Sequence, residues 1–276
     1  MTVVSTIITR HYTAHASDSF LTMCHPDGTR EVVEDQQSKL VDVRAFRGVM
    51  SYWGLARHED GWDTFQWLRE RARLADASGS AEAFAEACAE MLTAEFSRRR
   101  FANQLDSGLG IHFTAYEYIN DYWIPELFVL SRWRDESYQE VLPKYKFRVT
   151  RETYATLKGL KPPDGRSPEF GQPTHRLEVH KALQNQLLMF LFNNGDPVLF
   201  NPIANSVLAS FAELSCRGHL KDPTSFETHL SIARRPVEIV SKLLIDLAAP
   251  GTRLVGGKPH DLAVSPSGVY HSTTGG

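Results

Sequence analysis

Cysteine is scarce: three residues of 276, Cys24, Cys88 and Cys216. They are scattered, odd in number and form no Cys-x-x-Cys. That argues against a disulfide framework or a thiolate zinc site and fits a reducing compartment. Charge of one sign is equally scarce. A net charge of −3 supplies neither a basic field for nucleic acid nor an acidic tail for a charge-driven partner. Long hydrophobic runs are missing too. The longest, residues 187–192, is far below the roughly 20 residues of a membrane span. The apolar N-terminal stretch is short and has neither a basic n-region nor a small-residue cleavage site. These absences predict a soluble, cytoplasmic protein without nucleic-acid or membrane partners.

Cofactor and metal signatures fail on inspection. Gly108-x-Gly110 lacks the lead strand and acidic partner of a dinucleotide fingerprint, and Gly256-Gly257-Lys258 lacks the Ser/Thr and upstream glycine of a phosphate loop. His11 and His15 stand at i, i+4, but the pattern puts His11 in a turn and His15 in a strand, so surface or packed histidines are expected. His175 and His180, at i, i+5, do not share a helix face. No cofactor and no metal are expected.

What the chain does have is 42 % apolar residues, enough for a sizeable core in one domain spanning 1–276. Residues 2–22 are rich in β-branched residues and read as a β-hairpin turning near Arg10-His11. Pro26-Asp27-Gly28 marks a turn in the polar stretch 23–38. Residues 39–43 and 46–56 read as strands, the second ending at a glycine. Residues 62–74 and 81–98 carry apolar residues at helical spacing, and Arg98-Arg99-Arg100 suits a helix C-terminus. Residues 111–119 and 123–133 return to strand, with another around 145–150. Residues 158–174 form a Pro/Gly-rich excursion. Helices are expected over 175–192, 202–217 and 225–247, the last kinked or split by Pro236, with a turn at 193–197. Strands close the chain over 253–264 and after a turn at Pro266-Ser267-Gly268. Strands and helices come in separate runs, which predicts an α+β fold of antiparallel sheets covered by helices.

The start of the chain carries the chemistry. Removal of Met1 would leave Thr2 first, so that a hydroxyl nucleophile and a free α-amine share one residue. Asp18 follows sixteen residues later, Thr22 four beyond it, Lys39 opens the next strand, and Gly54 closes the one after. In this order the chain resembles the proteasome-type N-terminal-nucleophile hydrolases, the proteasome β-subunits and their bacterial peptidase relatives. The stretch Val255-Gly256-Gly257 followed by Asp261-Leu262-Ala263-Val264 is also similar to that family's penultimate strand. The likeness spans the chain and is specific over its first 56 residues. Ser19 stands where the family commonly has arginine, and no Gly-Ser-Gly carries an auxiliary serine. Asp196 is a candidate for the second aspartate.

The resemblance implies a four-layer αββα sandwich, two antiparallel sheets flanked by helices. It also implies a threonine-type amide hydrolase, expected to be a peptidase and a homo-oligomer acting on a peptide or amide substrate. Thr2, Asp18, Lys39 and Gly54 would be its catalytic set. Thr22 and Gly54 would bind substrate backbone, and Tyr52 and Trp53 would lie near the specificity pocket. The alternatives are a catalytically silent, proteasome-like subunit with an assembly or interaction role, or a small-metabolite amidase. The sequence names no unfoldase partner.

Overall fold

The computed structural model describes residues 3–9, 11–25, 30–99, 109–119, 122–134, 141–149, 190–194, 200–217, 219, 224–247 and 255–271. The N-terminal hairpin is β1 (Val4–Ile8) against β2 (Thr13–Ser17). It forms the middle of a first sheet, in which β12 (Phe190–Asn194) pairs with β1, and β13 (His260–Ser265) joins β2 to β14 (Gly268–His271). A second sheet runs in the order β11-β10-β9-β6-β5. Its strands are β5 (Leu40–Val43), β6 (Gly48–Gly54), β9 (Leu109–Ile119), β10 (Tyr122–Arg134) and β11 (Val141–Val149). Every pairing in these two sheets is antiparallel.

Among the described residues, four helices pack against these sheets. α1 (Thr64–Arg73) packs on β5, and α2 (Ala81–Arg98) packs on β9, β10 and β11. α3 (Phe200–Cys216) packs on β12, and α4 (Phe226–Leu247) packs on β1, β2 and β13. The caps explain where the first two begin. Asp63 accepts from the Gln66 amide at 3.0 Å and Ser80 from the Ala83 amide at 3.1 Å, each satisfying an N–H that the helix leaves open. Phe84, Cys88, Leu92 and Phe96 then recur on one face of α2 and are all buried. α4 continues through Pro236 as one helix.

The strand period of two sorts side chains between the faces. Ile7, Ala14, Ala16 and Ala263 of the first sheet join the core under α3 and α4. Met50, Tyr52, Ile111 and Phe113 of the second sheet join the core under α1 and α2. Between the sheets lies a small apolar cluster, Leu40, Val49, Tyr116, Leu262 and Val264. Beside it runs a layer of buried hydroxyls and imidazoles. The fold is thus α+β, as the sequence predicts, with antiparallel sheets and helices packed against them in an arrangement compatible with a sandwich.

Three expectations change. The helix expected over 175–192 does not reach its end, because residues 190–192 are strand and pair antiparallel with β1. A short apolar run fits helix and buried strand equally, and here the open edge of β1 decides. The polar stretch 23–38 holds β4 (Arg30–Glu34). With β3 (Leu21–Cys24), β7 (Arg57–His58) and β8 (Trp62–Asp63) it forms an unforeseen third sheet, in which β3 and β7 run parallel. Within the strand expected from residue 253, residues 255–259 are not strand and β13 begins at His260, because Gly257 takes a positive φ of 77° that interrupts extended chain. The excursion 158–174, the turns at 26–28 and 193–197, His175, His180 and Asp196 lie wholly or mostly outside the described residues.

Candidate functional site

One end of the two facing sheets gathers most of the residues singled out above. β1 starts there and β2 ends there, since Val4 pairs with Ser17. β13 starts beside them, with His260 opposite Ser17. In the second sheet β5 starts and β6 ends at a common edge, with Leu40 opposite Ser51. The antiparallel register therefore puts Lys39, just before β5, and Gly54, the last residue of β6, at the same edge.

Asp18 follows directly on β2 and is fully buried, as is Lys39. The Lys39 ammonium donates to Asp18 Oδ1 at 2.8 Å. The same oxygen accepts the Val3 N–H at 3.0 Å, and Oδ2 accepts the Gly256 N–H at 3.4 Å. Two backbone donors and one ammonium satisfy a carboxylate that burial would otherwise heavily penalise. Burial pushes the Lys39 ammonium below the ordinary lysine range, and the charge and hydrogen bond of Asp18 work against that shift. The pair ties the first sheet to the second and fixes the Val3 amide, the atom through which residue 3 joins residue 2.

The turn before β13 closes over this pair. The Gly256 carbonyl accepts from Ser19 N at 3.0 Å and Phe20 N at 3.3 Å, while the Ser19 carbonyl accepts from Gln37 N at 3.1 Å. A Cβ on Gly257 would run into the Ser19 hydroxyl and come within 2.7 Å of the Asp35 carbonyl. Glycine at 257 thus lets two segments approach and also permits the positive φ. The sequence pattern places 255–257 in a strand, but these residues are not strand. The paired glycines were the signal for the turn instead.

Gly54 has a φ of 90°, a conformation that favours glycine, and pairs with Leu109. Thr22 lies in β3 opposite Val32. Tyr52 is fully buried under α1 and α2, and its hydroxyl has no hydrogen-bond partner among the described residues. Burial, then the charges of Asp63 and Asp18, push its phenol above the ordinary tyrosine range. Trp53 points to the opposite face of β6, its ring edge-on to His112 at 5.0 Å. A cleft of about 580 Å³ lies between α1 and β5, lined in part by Phe65, Arg69 and Leu40, and none of the expected site residues lines it. Thr2 lies outside the described residues. Among the described residues no group of three or more His, Cys, Asp or Glu is arranged to hold a metal ion, and no helix is long and apolar enough to cross a membrane.

No protein-family model matches the chain, and no curated protein matches it.

Proposed function

We propose that the protein is an N-terminal threonine amide hydrolase, a peptidase of the cytoplasm, with Thr2 as nucleophile once Met1 is removed. The observation that carries this reading is the buried Asp18–Lys39 pair holding the Val3 amide. It fixes the backbone at Val3, the residue that follows Thr2 in the chain, beside a buried positive charge.

In this reading the Thr2 α-amine, with a reference pKa of about 7.7–8.0, takes the hydroxyl proton directly or through one water. The Lys39 ammonium disfavours a second positive charge beside it and lowers the amine's pKa, and Asp18 holds that ammonium in place. The Thr2 oxygen attacks the amide carbonyl, the Gly54 N–H stabilises the oxyanion, and the amine proton passes to the leaving nitrogen. Water then hydrolyses the acyl-threonine ester. Thr22 and Gly54 align the peptide backbone, and a homo-oligomer would enclose the site.

The test is the intact mass of the purified protein followed by assay on fluorogenic peptide amides, with Thr2→Ala beside the wild type. Loss of Met1 together with hydrolysis that falls to background in Thr2→Ala supports the reading. Retention of Met1, or undiminished hydrolysis in Thr2→Ala, overturns it; retention favours the silent, proteasome-like subunit.

A further inference from the structure

Hydrophobic side chains are the usual filling between two facing sheets. Here six fully buried polar residues meet instead: Thr6, Thr13 and His15 from the first sheet, and Ser51, His112 and Thr114 from the second. His15 Nδ1 lies 2.8 Å from Ser51 Oγ and 3.2 Å from Thr6 Oγ1, and its Nε2 lies 2.8 Å from Thr114 Oγ1. Thr6 Oγ1 continues the chain to His112 Nδ1 at 2.8 Å, and the Thr13 hydroxyl donates to Thr114 Oγ1 at 3.3 Å. Four of these five contacts cross from one sheet to the other.

Hydroxyls rotate and can donate or accept, so they satisfy a neutral imidazole in either tautomer. They do not neutralise an imidazolium. The groups that face His15 are Thr6 on β1, Leu262 opposite it on β13, Ser51 on β6 and Thr114 on β9. Among its described contacts, His112 meets Thr6 and stands edge-to-face with the Trp53 ring. Among the described residues none of these contacts is a carboxylate, and the charge of His112 acts on His15. Burial pushes His15 well below the ordinary histidine range, with the charge of His112 adding to it, and burial lowers His112 to about 3.

We infer that this layer is an acid-sensitive joint: it locks the two sheets together while both rings are neutral, and protonation of either ring opens it. Opening reaches the candidate site, because β1 carries both Thr6 and the approach to Val3, and β2 runs from His15 directly into Asp18. The joint itself does not depend on Thr2 being a nucleophile. Its test reads structure rather than turnover, so its failure and the failure of the hydrolase reading are separate results.

The direction follows from proton linkage. Each ring binds its proton in the unfolded chain near pH 6.5 but resists it in the folded one, so stability is full above pH 6.5 and is lost as the pH falls. Urea unfolding of the whole protein between pH 8 and pH 5 should show an unfolding constant that, below about pH 6, rises toward ~10-fold per pH unit for each ring. His112→Gln should remove about one such factor. Histidine-labelled NMR of the wild type should show both rings neutral down to about pH 5 while the protein stays folded. The Val3 amide should lose exchange protection together with those of β1 and β2. Either ring titrating near its ordinary value in the folded protein, or an equal pH slope in wild type and His112→Gln, overturns the joint. Should the variant not fold, the wild-type titration decides alone. A Val3 amide that stays protected while β1 and β2 open overturns the link to the site.

Discussion

The Lys39 ammonium and the Asp18 carboxylate, both with no solvent exposure, meet at 2.8 Å across the gap between two sheets. A buried pair of this kind is costly to break from one side, because the surviving charge is left without compensation. Asp18→Ala should therefore destabilise the fold by about 3–5 kcal/mol. Lys39→Met leaves the carboxylate its two amide donors but takes away its counter-charge. The double variant Asp18→Asn, Lys39→Met should be less destabilised than the sum of its parts, with a coupling of about 1–3 kcal/mol in urea titrations. Strict additivity would mean that the two groups do not act as a pair.

The pair was legible because its residues stand at strand ends that the sequence marks clearly. The β-branched run of β1 and the change at Ser17-Asp18-Ser19 locate Asp18, and Lys39 precedes the short apolar strand Leu40–Val43. The two outer helices of the second sheet were legible from their 3.6-residue apolar spacing and their caps. The rest depended on partners far away in the chain. Nothing local says that residues 190–194 will complete an edge beside β1, since Phe-Leu-Phe suits a helix as well. The role of His15 is set by Ser51 and Thr114, 36 and 99 residues distant. The third sheet was missed because Arg-Glu-Val-Val-Glu is polar enough to pass for loop.

Gly257 and Gly79 separate backbone strain from crowding. Both have positive φ, 77° and 72°, but a Cβ at Gly79 meets nothing within 4 Å, whereas at Gly257 it meets Ser19, Phe20 and the Asp35 carbonyl. Gly79→Ala should cost only the conformational penalty, about 1–2 kcal/mol. Gly257→Ala should cost clearly more and should disturb the Gly256 amide that bonds Asp18. Thermal unfolding of the two variants side by side measures the difference, and equal losses would show that the turn yields freely.

If Thr2 is the nucleophile, its own amine is the base, and the charge of Lys39 sets that base's pKa. Removing the ammonium in Lys39→Met takes away a repulsive charge and leaves the Asp18 carboxylate, and both changes raise the amine's pKa. The neutral, active form of the amine then appears only at higher pH. The acid limb of the pH–rate profile should shift upward, with turnover near neutral pH reduced accordingly. Thr2→Ser keeps hydroxyl and amine together and should retain activity where Thr2→Ala has none. A limb that stays fixed in Lys39→Met would place the base elsewhere.

Cys88 gives a direct readout of the core under α2. Its thiol is 2 % exposed, lies on the buried face with Phe84 and Leu92, and is pushed up to about 12 by burial, with Arg71 pulling weakly the other way. Only the thiolate reacts with alkylating reagents. At pH 8 a thiol of that pKa is about one part in ten thousand ionised, against roughly a quarter for an ordinary one near 8.5. Burial also denies the reagent access. Iodoacetamide followed by peptide mapping should therefore leave Cys88 unmodified in the native protein and label it fully in urea. Its labelling rate at intermediate urea should follow global unfolding, because the helix that carries it is anchored to β9, β10 and β11 at once. Native labelling of Cys88 as fast as that of a free thiol would show that α2 detaches from the sheet without the rest of the fold opening.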